Sequence, residues 1–429
     1  MPAMYLADLL KCHYSIYFAI TNDILKELVE KNGFKAIFQS RWRVMLGMER
    51  DYIVTEKKQY GNFWNLVKAI RKNEVFEHRQ KELKGLIESL KPHAVIIDIF
   101  SSTDYLVLKS LGFRLKLLFF NPMLSTYRVS GYPLVSEGTW IKSEVKTEDK
   151  SKKHFLNFLR RPKGSILHYL VTRQTKNNLK KGDVSEADFD KENSFTKMFK
   201  RVPELVTAPL ELEVSPNVRQ ENQYYLGLST RNHRIETELD NSFIKVWGNI
   251  LSIKHKIVYC SFGTFYSGPD RALLNFLHNL FEAIKEMDST QLVISVNRYV
   301  IEAVKNDSIS NVHLFTKVPQ LEVLKSADVF ITHGGLGSIK EAIEYKVPML
   351  VYPLDPHYDQ NGNGLKVELH GIGLRGSFMY ERKRDMKDKI IELSDNPVYR
   401  ENIAAFNQKI SEKYDLDSNR KLLFQLLDL

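Results

Sequence analysis

The stretch from residue 329 to 376, VFITHGGLGSIKEAIEYKVPMLVYPLDPHYDQNGNGLKVELHGIGLRG, constrains this chain more than any other. An apolar run ends at Thr332, then His333 opens a glycine-rich turn, and residues 338–345 have helical composition. The segment therefore reads as strand, tight turn and helix N-terminus. An anion fits that place. Free backbone N–H groups and the positive end of the helix attract it, and Gly334, Gly335 and Gly337 carry no side chain to block its approach. His333 and Ser338 add donors for the same oxygens, and Glu341, one turn into the helix, offers a carboxylate to a pair of sugar hydroxyls. A second apolar strand, 349–352, leads to Asp359 and Gln360, two further hydroxyl partners. Donors for phosphate beside acceptors for sugar point to a nucleotide-sugar site. The GGLG turn by itself does not, because many α/β chains turn on glycine between strand and helix.

The longer pattern is more specific. Val318-Pro319-Gln320, Val323-Leu324, Thr332-His333-Gly334-Gly335, Ser338, Glu341, Val347-Pro348, Pro353 and Asp359-Gln360 together resemble the donor-binding signature of the UDP-glycosyltransferase family. The resemblance implies that His333 and Ser338 contact the diphosphate, that Glu341 binds the ribose, and that Asp359 and Gln360 hold the donor sugar. Ser261, in VYCSFGTF, matches a serine that approaches the phosphates or the uridine; Gly263, Val318, Gln320, Gly335 and Gly337 complete the implied donor set. Three departures bear on the base. Lys317 stands where plant members have a tryptophan over the uracil, Gly337 replaces an asparagine, and extra residues separate Pro353 from Asp359. UDP and dTDP both stay open as the nucleotide.

The same resemblance implies an α/β fold of GT-B architecture, with two Rossmann-like, doubly wound parallel-sheet domains facing each other across a cleft. The donor lies on the C-terminal domain and the acceptor on the N-terminal one. The implied reaction is inverting, a direct displacement that moves a hexose, glucose in the first instance, from the UDP-sugar to a hydroxyl of a small hydrophobic phenol, flavonoid or other natural product. Helix N-termini stabilise the departing diphosphate, so neither metal nor cofactor is expected and the UDP-sugar is a co-substrate. The family's base is a histidine oriented by a buried aspartate. Asp98, ending AVIIDIF, matches that aspartate, while Pro2 matches the proline after the histidine, which would fall just before Met1. The expectation is therefore a record that starts late, lacking the first strand and the histidine loop. A natural loss would leave a catalytically silent nucleotide-sugar-binding protein. Asp98 has a second reading, as cap of the following turn near Ser101 and Ser102. His13 precedes the second strand, at its wrong end for a base.

Length and composition bound the rest. A chain of 429 residues exceeds the usual single domain. We place an acceptor domain at 1–222, a donor domain at 223–400 and a helix returning to the first domain at 401–429. Cys12 and Cys260 stand far apart, against a disulfide framework and for a reducing compartment, so a cytoplasmic location is expected. The net charge of +10 has no zinc spacing or RNA-binding aromatic signature with it, which argues against nucleic acid. A basic surface also attracts doubly negative nucleotide sugars. A monomer is expected.

Taken in order, residues 1–11 are helical, strands follow at 15–20, 36–38, 94–97 and 115–120, and helices at 24–30, 64–71 and 76–90. Six more strands are expected at 257–260, 292–296, 312–315, 329–332, 349–352 and 372–374, and a helical run at 402–427. Residues 121–201 read as irregular and basic, with Phe155, Phe158, Leu159, Ile166, Leu167 and Leu170 interspersed. Phe119, Phe120, Met123 and Tyr127 have two readings, as walls of an aromatic acceptor pocket or as core packing. An amphipathic helix lying on a membrane surface is a further reading of this region, suited to a glycolipid-forming enzyme, with Arg161-Pro162-Lys163-Gly164 interrupting it. A sugar-nucleotide epimerase on the same fold is the remaining enzymatic alternative.

Overall fold

A computed structural model describes residues 2–140, 162–190, 193, 195–232, 234, 239–263, 270–304, 309–355 and 357–427. The strands are β1 Tyr17–Ile20, β2 Lys35–Phe38, β3 Ala94–Asp98, β4 Lys116–Asn121, β5 Phe189–Asp190, β6 Met198–Phe199, β7 Glu204–Val206, β8 Gln223–Tyr225, β9 Lys256–Ser261, β10 Thr290–Ser295, β11 Val312–Phe315, β12 Val329–Thr332, β13 Met349–Val351 and β14 Gly373–Arg375. In the N-terminal half the helices are α1 Pro2–Leu10, α2 Asp23–Lys31, α3 Glu49–Thr55, α4 Phe63–Lys72, α5 Glu74–Leu90, α6 Asp104–Ser110 and α7 Pro162–Lys181. The C-terminal half has α8 Asn241–Ser252, α9 Arg271–Lys285, α10 Arg298–Val304, α11 Gln320–Leu324, α12 Leu336–Glu344, α13 Gln360–Leu369, α14 Lys383–Asp395, α15 Pro397–Lys413 and α16 Leu416–Leu427.

The C-terminal sheet runs β11-β10-β9-β12-β13-β14, every pair parallel. Its strands are nearly unbroken apolar runs because helices cover both faces. On one face Val258, Cys260, Leu292, Ile294, Ile331 and Leu350 pack with Phe276 and Leu280 of α9 and with Met386 and Ile390 of α14. On the other, Ile257, Tyr259, Phe330 and Met349 meet Leu336 and Ile343 of α12 and Trp247 of α8. Tyr259 and Phe330, neighbours in register, stack with centroids 5.0 Å apart.

The N-terminal half holds two parallel sheets, β1-β2 and β3-β4-β7-β8. Each stops at an edge, β1 and β3, that pairs on one side only. Helix α1 spans both. Met4 and Ala7 pack with Ile20 of the first sheet, and Leu6, Leu9 and Leu10 with Leu118 and Phe120 of the second. Tyr14 and His93, just before β1 and β3, bring the starts of the two strands together at a ring separation of 6.0 Å.

Three expectations change. Residues 223–225 form β8 in the N-terminal sheet, paired with β7 through Leu205 and Tyr224, so that domain extends beyond residue 222. The stretch 162–181, read as irregular, is a helix of 20 residues. Pro162 begins it rather than breaking it, because a first-turn residue has no intrahelical N–H bond to lose. Phe155, Phe158 and Leu159 lie outside the described residues. The terminal helical run is two helices, α15 and α16. Tyr414 is extended at the break, its hydroxyl accepting from the Leu210 N–H at 3.2 Å, and a side chain at Gly227 would come within 2.5 Å of its Cβ. That docking turns the chain back onto the first domain, where Asn419 donates to the Tyr5 hydroxyl at 2.9 Å and to the Leu226 carbonyl at 3.1 Å.

Candidate functional site

In the C-terminal sheet the strand order reverses between β9 and β12, and a ligand crevice opens at the carboxyl ends of strands on either side of such a switch. Thr332 is in register with Ser261 there, which sets Ser261, Phe262 and Gly263 beside His333, Gly334 and Gly335. Glycine is required at three of these positions. Gly334 has φ +86°, and an added Cβ would lie 2.8 Å from Val351 Cγ1 and 3.1 Å from the Gln360 carbonyl. A Cβ on Gly335 would lie 2.6 Å from His333 Nε2, and one on Gly263, at φ +60°, 3.3 Å from His333 Cε1. The imidazole is thus held between two glycines. Gly337 is different: its Cβ would meet nothing within 4 Å, so the residue leaves the mouth of α12 open.

Burial pushes the His333 pKa down to about 4. At neutral pH the ring is uncharged and carries one N–H, a donor for an anion's oxygen. Gly335 caps α12 with no side-chain bond, leaving the first-turn amides and the partly exposed Ser338 facing the crevice. One turn on, Glu341 takes two partners. Its Oε2 accepts from Gln320 Nε2 at 2.6 Å and its Oε1 pairs with Arg234. Gln320 in turn accepts from the Tyr259 hydroxyl at 3.2 Å. Val318 is buried beneath this network, and the Lys317 carbonyl accepts from the Asp240 N–H at 2.9 Å.

The second half of the motif arrives from α13. Asp359 precedes it, its carboxyl raised by burial and accepting from Asn363 Nδ2 at 2.9 Å. Asn363 also donates to the Gly334 carbonyl at 2.9 Å, tying the start of α13 to the glycine turn. Gln360 sits differently from the sequence expectation. Its side chain is buried and its Oε1 accepts the Leu354 and Asp355 amides at 2.7 and 3.1 Å, so it shapes the loop before Asp359. The extra residues after Pro353 create that loop, whose amides Gln360 satisfies. Asn363, one helical turn from Asp359, was legible by spacing alone; Arg234, on the interdomain linker, gave no local signal.

The two domains meet over α12 and α13. Lys340, fully buried with its pKa pushed down to about 7, donates to the Thr207 carbonyl at 2.5 Å and to Ser229 Oγ at 2.9 Å. A Cβ on Gly362 would lie 1.9 Å from the Val135 carbonyl, and Arg375 donates to the Gly138 carbonyl at 2.6 Å.

On the N-terminal side Asp98 ends β3. Its Oδ1 accepts the Phe100 N–H at 2.9 Å, capping the short turn Ile99–Ser101, so the capping expectation holds although the donor amide is that of Phe100. Burial raises its carboxyl, the Phe100 amide and the Arg43 guanidinium pulling it back. Among the described residues no histidine is one of the groups that shift it. The four aromatic-pocket candidates are core. β4 is an interior strand covered on both faces, so Phe119 packs against Tyr105 and Phe199, and Phe120 lies in the cluster under α1 and α16. Met123 is buried with them, and Tyr127 faces a cavity of about 10 Å³ shared with Ser125, Glu213 and Lys366. That holds one water; small-molecule sites run to roughly 300 Å³ or more.

A doubly wound donor-type sheet, a second parallel-sheet domain and a final helix crossing back define the GT-B class of glycosyltransferase folds. Residues 247–412 match the sequence model of the family described as UDP-glucoronosyl and UDP-glucosyl transferase. YojK of Bacillus subtilis (strain 168), an uncharacterised UDP-glucosyltransferase, is 28% identical over 154 residues, 36% of this chain and 36% of its own length. The ecdysteroid UDP-glucosyltransferase of Lacanobia oleracea granulosis virus is 29% identical over 247 residues, 57% of this chain and 50% of its own. The matched segment thus spans about a third of the length of YojK. Among solved structures, the glycotransferase of kitacinnamycin superposes with TM-score 0.69 at 17% identity, covering 99% of this chain and 95% of that one. A UDP-glucose: anthocyanidin 3-O-glucosyltransferase in complex with UDP gives 0.63 at 15%, covering 100% and 95%. The family match thus covers residues 247–412, and the likeness of the whole chain to these solved structures is one of fold.

Proposed function

We propose that this protein transfers a hexose, glucose first among candidates, from a UDP-sugar to a hydroxyl of a small hydrophobic acceptor, with inversion at the anomeric carbon. The observation that carries the reading is the convergence at the β9/β12 crevice of a neutral His333, the open first turn of α12, the Glu341 carboxylate and Asp359. In this reading the diphosphate lies on α12 and His333, the ribose hydroxyls take the Glu341 oxygens, and the sugar reaches Asp359. The acceptor oxygen forms its bond to the anomeric carbon as the bond to the diphosphate breaks. Charge developing on the leaving oxygens falls on the helix N-terminus and the His333 N–H, which is where preorganised donors lower a barrier. The acceptor proton passes to the Asp98 carboxylate, the group at this edge whose affinity for a proton burial raises.

One observation favours a second reading, binding without transfer: the Asp98 carboxylate is engaged by Phe100 and Arg43. Incubation with UDP-glucose and a panel of phenols, flavonoids and sterols, following UDP release and product mass, separates the two. A product heavier by one hexose supports transfer. UDP binding without product supports the silent reading, and absence of both overturns the donor site.

A further inference from the structure

We propose that the corner formed by α3, α4 and the start of α7 is an interfacial docking surface for an anionic phospholipid bilayer. Tyr60 is 88% exposed, Trp64 74%, Tyr169 63%, Val54 49% and Ile166 42%. Large apolar side chains that stand so far into water, and together, mark an interaction surface. They are together here. A Cβ on Gly61, next to Tyr60, would touch Val54 Cγ2 at 3.2 Å, the Phe63 and Trp64 rings lie 5.2 Å apart, and Lys163 sits 5.6 Å over the Phe63 ring. Helix α7 is fixed along α4 by Gln174 donating to the Ile70 carbonyl at 2.7 Å and by the Asn73–Asn178 pair at 2.6 Å.

The charge around this patch is predominantly positive. Residues 50–72 carry six Lys and Arg against two Asp and Glu, and residues 162–181 carry five against none, within a chain of net charge +10. Lys58, Lys68, Lys72 and Arg173 are exposed. Amphipathic Trp and Tyr rings settle at the headgroup level of a bilayer, and basic residues beside them are drawn to anionic lipid. A nucleic-acid surface would also be basic and aromatic, but Val54 and Ile166 have no face on which a base stacks, while acyl chains take them readily.

The patch continues from the acceptor side of the protein. Asp98 faces Arg43, the Arg43 backbone neighbour Trp42 donates to Glu56 at 2.9 Å, and Lys57 and Lys58 lead directly to Tyr60. A bilayer held there would present hydrophobic alcohols dissolved in it to the edge where Asp98 sits; only this last step rests on the proposed transferase activity.

The test uses the full chain and vesicles of mixed phosphatidylcholine and phosphatidylglycerol, against phosphatidylcholine alone. Of the four tryptophans, Trp42 and Trp247 are buried and Trp140 is half-buried with its indole N–H donating to the Gly131 carbonyl, so Trp64 should dominate a blue shift of the emission on binding. We expect co-sedimentation with the anionic vesicles only, a blue shift lost in Trp64→Phe, binding about tenfold weaker in Tyr60→Ala/Trp64→Ala, and a loss of roughly fivefold for each of Lys68→Gln and Lys163→Gln. UDP affinity, measured on the same variants, should be unchanged. No association with anionic vesicles, association that these substitutions leave intact, or binding to single-stranded RNA in place of vesicles would overturn the proposal. Failure of UDP binding in every form would instead refute the donor site.

Discussion

Glu341→Ala is the substitution that most sharply divides the ligand into its parts. In the structure the carboxylate is shared by Gln320 at 2.6 Å and by Arg234, and in the proposed complex the ribose hydroxyls take those oxygens. Hydrogen bonds to a charged acceptor contribute about 1.5–3 kcal/mol each, and two are gained while the existing pair is released, so a net loss of about 2 kcal/mol follows, roughly 30-fold in Kd. Stability should change little. Gln320 keeps the Tyr259 hydroxyl, and the Arg234 side chain, 24% exposed, can hydrate. The melting midpoint should therefore move by less than about 3 °C. Calorimetric titration with UDP and with uridine gives the decisive comparison, since both carry the ribose and only one the phosphates. The two affinities should fall by the same factor in Glu341→Ala, whereas His333→Ala should weaken UDP alone. Unchanged affinity for both ligands, or loss of UDP with uridine retained, would refute the assignment of Glu341 to the ribose.

Three further outcomes follow from the geometry. Gly334→Ala places a Cβ 2.8 Å from Val351 at φ +86° and should destabilise by about 2 kcal/mol, a fall of roughly 4–8 °C, while Gly337→Ala, with nothing within 4 Å, should melt slightly higher; equal melting of the two would sink the reasoning. Glu204, fully buried, has its pKa raised to about 7 from an ordinary 4.5, so the folded carboxyl is neutral and its stability contribution, complete below pH 4.5, is lost as pH rises through 7. Glu204→Gln should therefore gain stability relative to the parent at pH 8 and not at pH 4, a difference read by denaturant titration at both; a gain at pH 4 alone would contradict it. Asp98→Asn should leave UDP affinity as it is and lower any transfer rate at least tenfold, and full activity would reduce Asp98 to the cap of its turn.

The C-terminal sheet was legible because both of its faces are covered, which makes each strand a continuous apolar run ended by a turn residue, and β9 to β14 fall within two residues of expectation. Its glycine turn was legible for the same local reason: φ at Gly334 and the closeness of His333 to Gly335 are properties of a few neighbouring residues. What failed was non-local. Gln360 turns inward because the loop at Leu354 and Asp355 needs acceptors, and no spacing announces that. Phe119 and Phe120 could not be divided between pocket and core until β4 was known to have neighbours on both edges. Pro162 looked like a breaker because a proline at a helix start and one in its middle are the same letter. Arg234 reaches Glu341 across more than a hundred residues of chain.

The central claim is that a nucleotide sugar lies across the carboxyl ends of β9 and β12. Amide hydrogen exchange of the whole chain with and without UDP-glucose tests it at the level of segments. Slowed exchange in peptides covering 261–263, 333–341 and 359–363, with the N-terminal sheet strands unchanged, is the predicted result. Protection that spares 333–341, or none at saturating ligand, would contradict it.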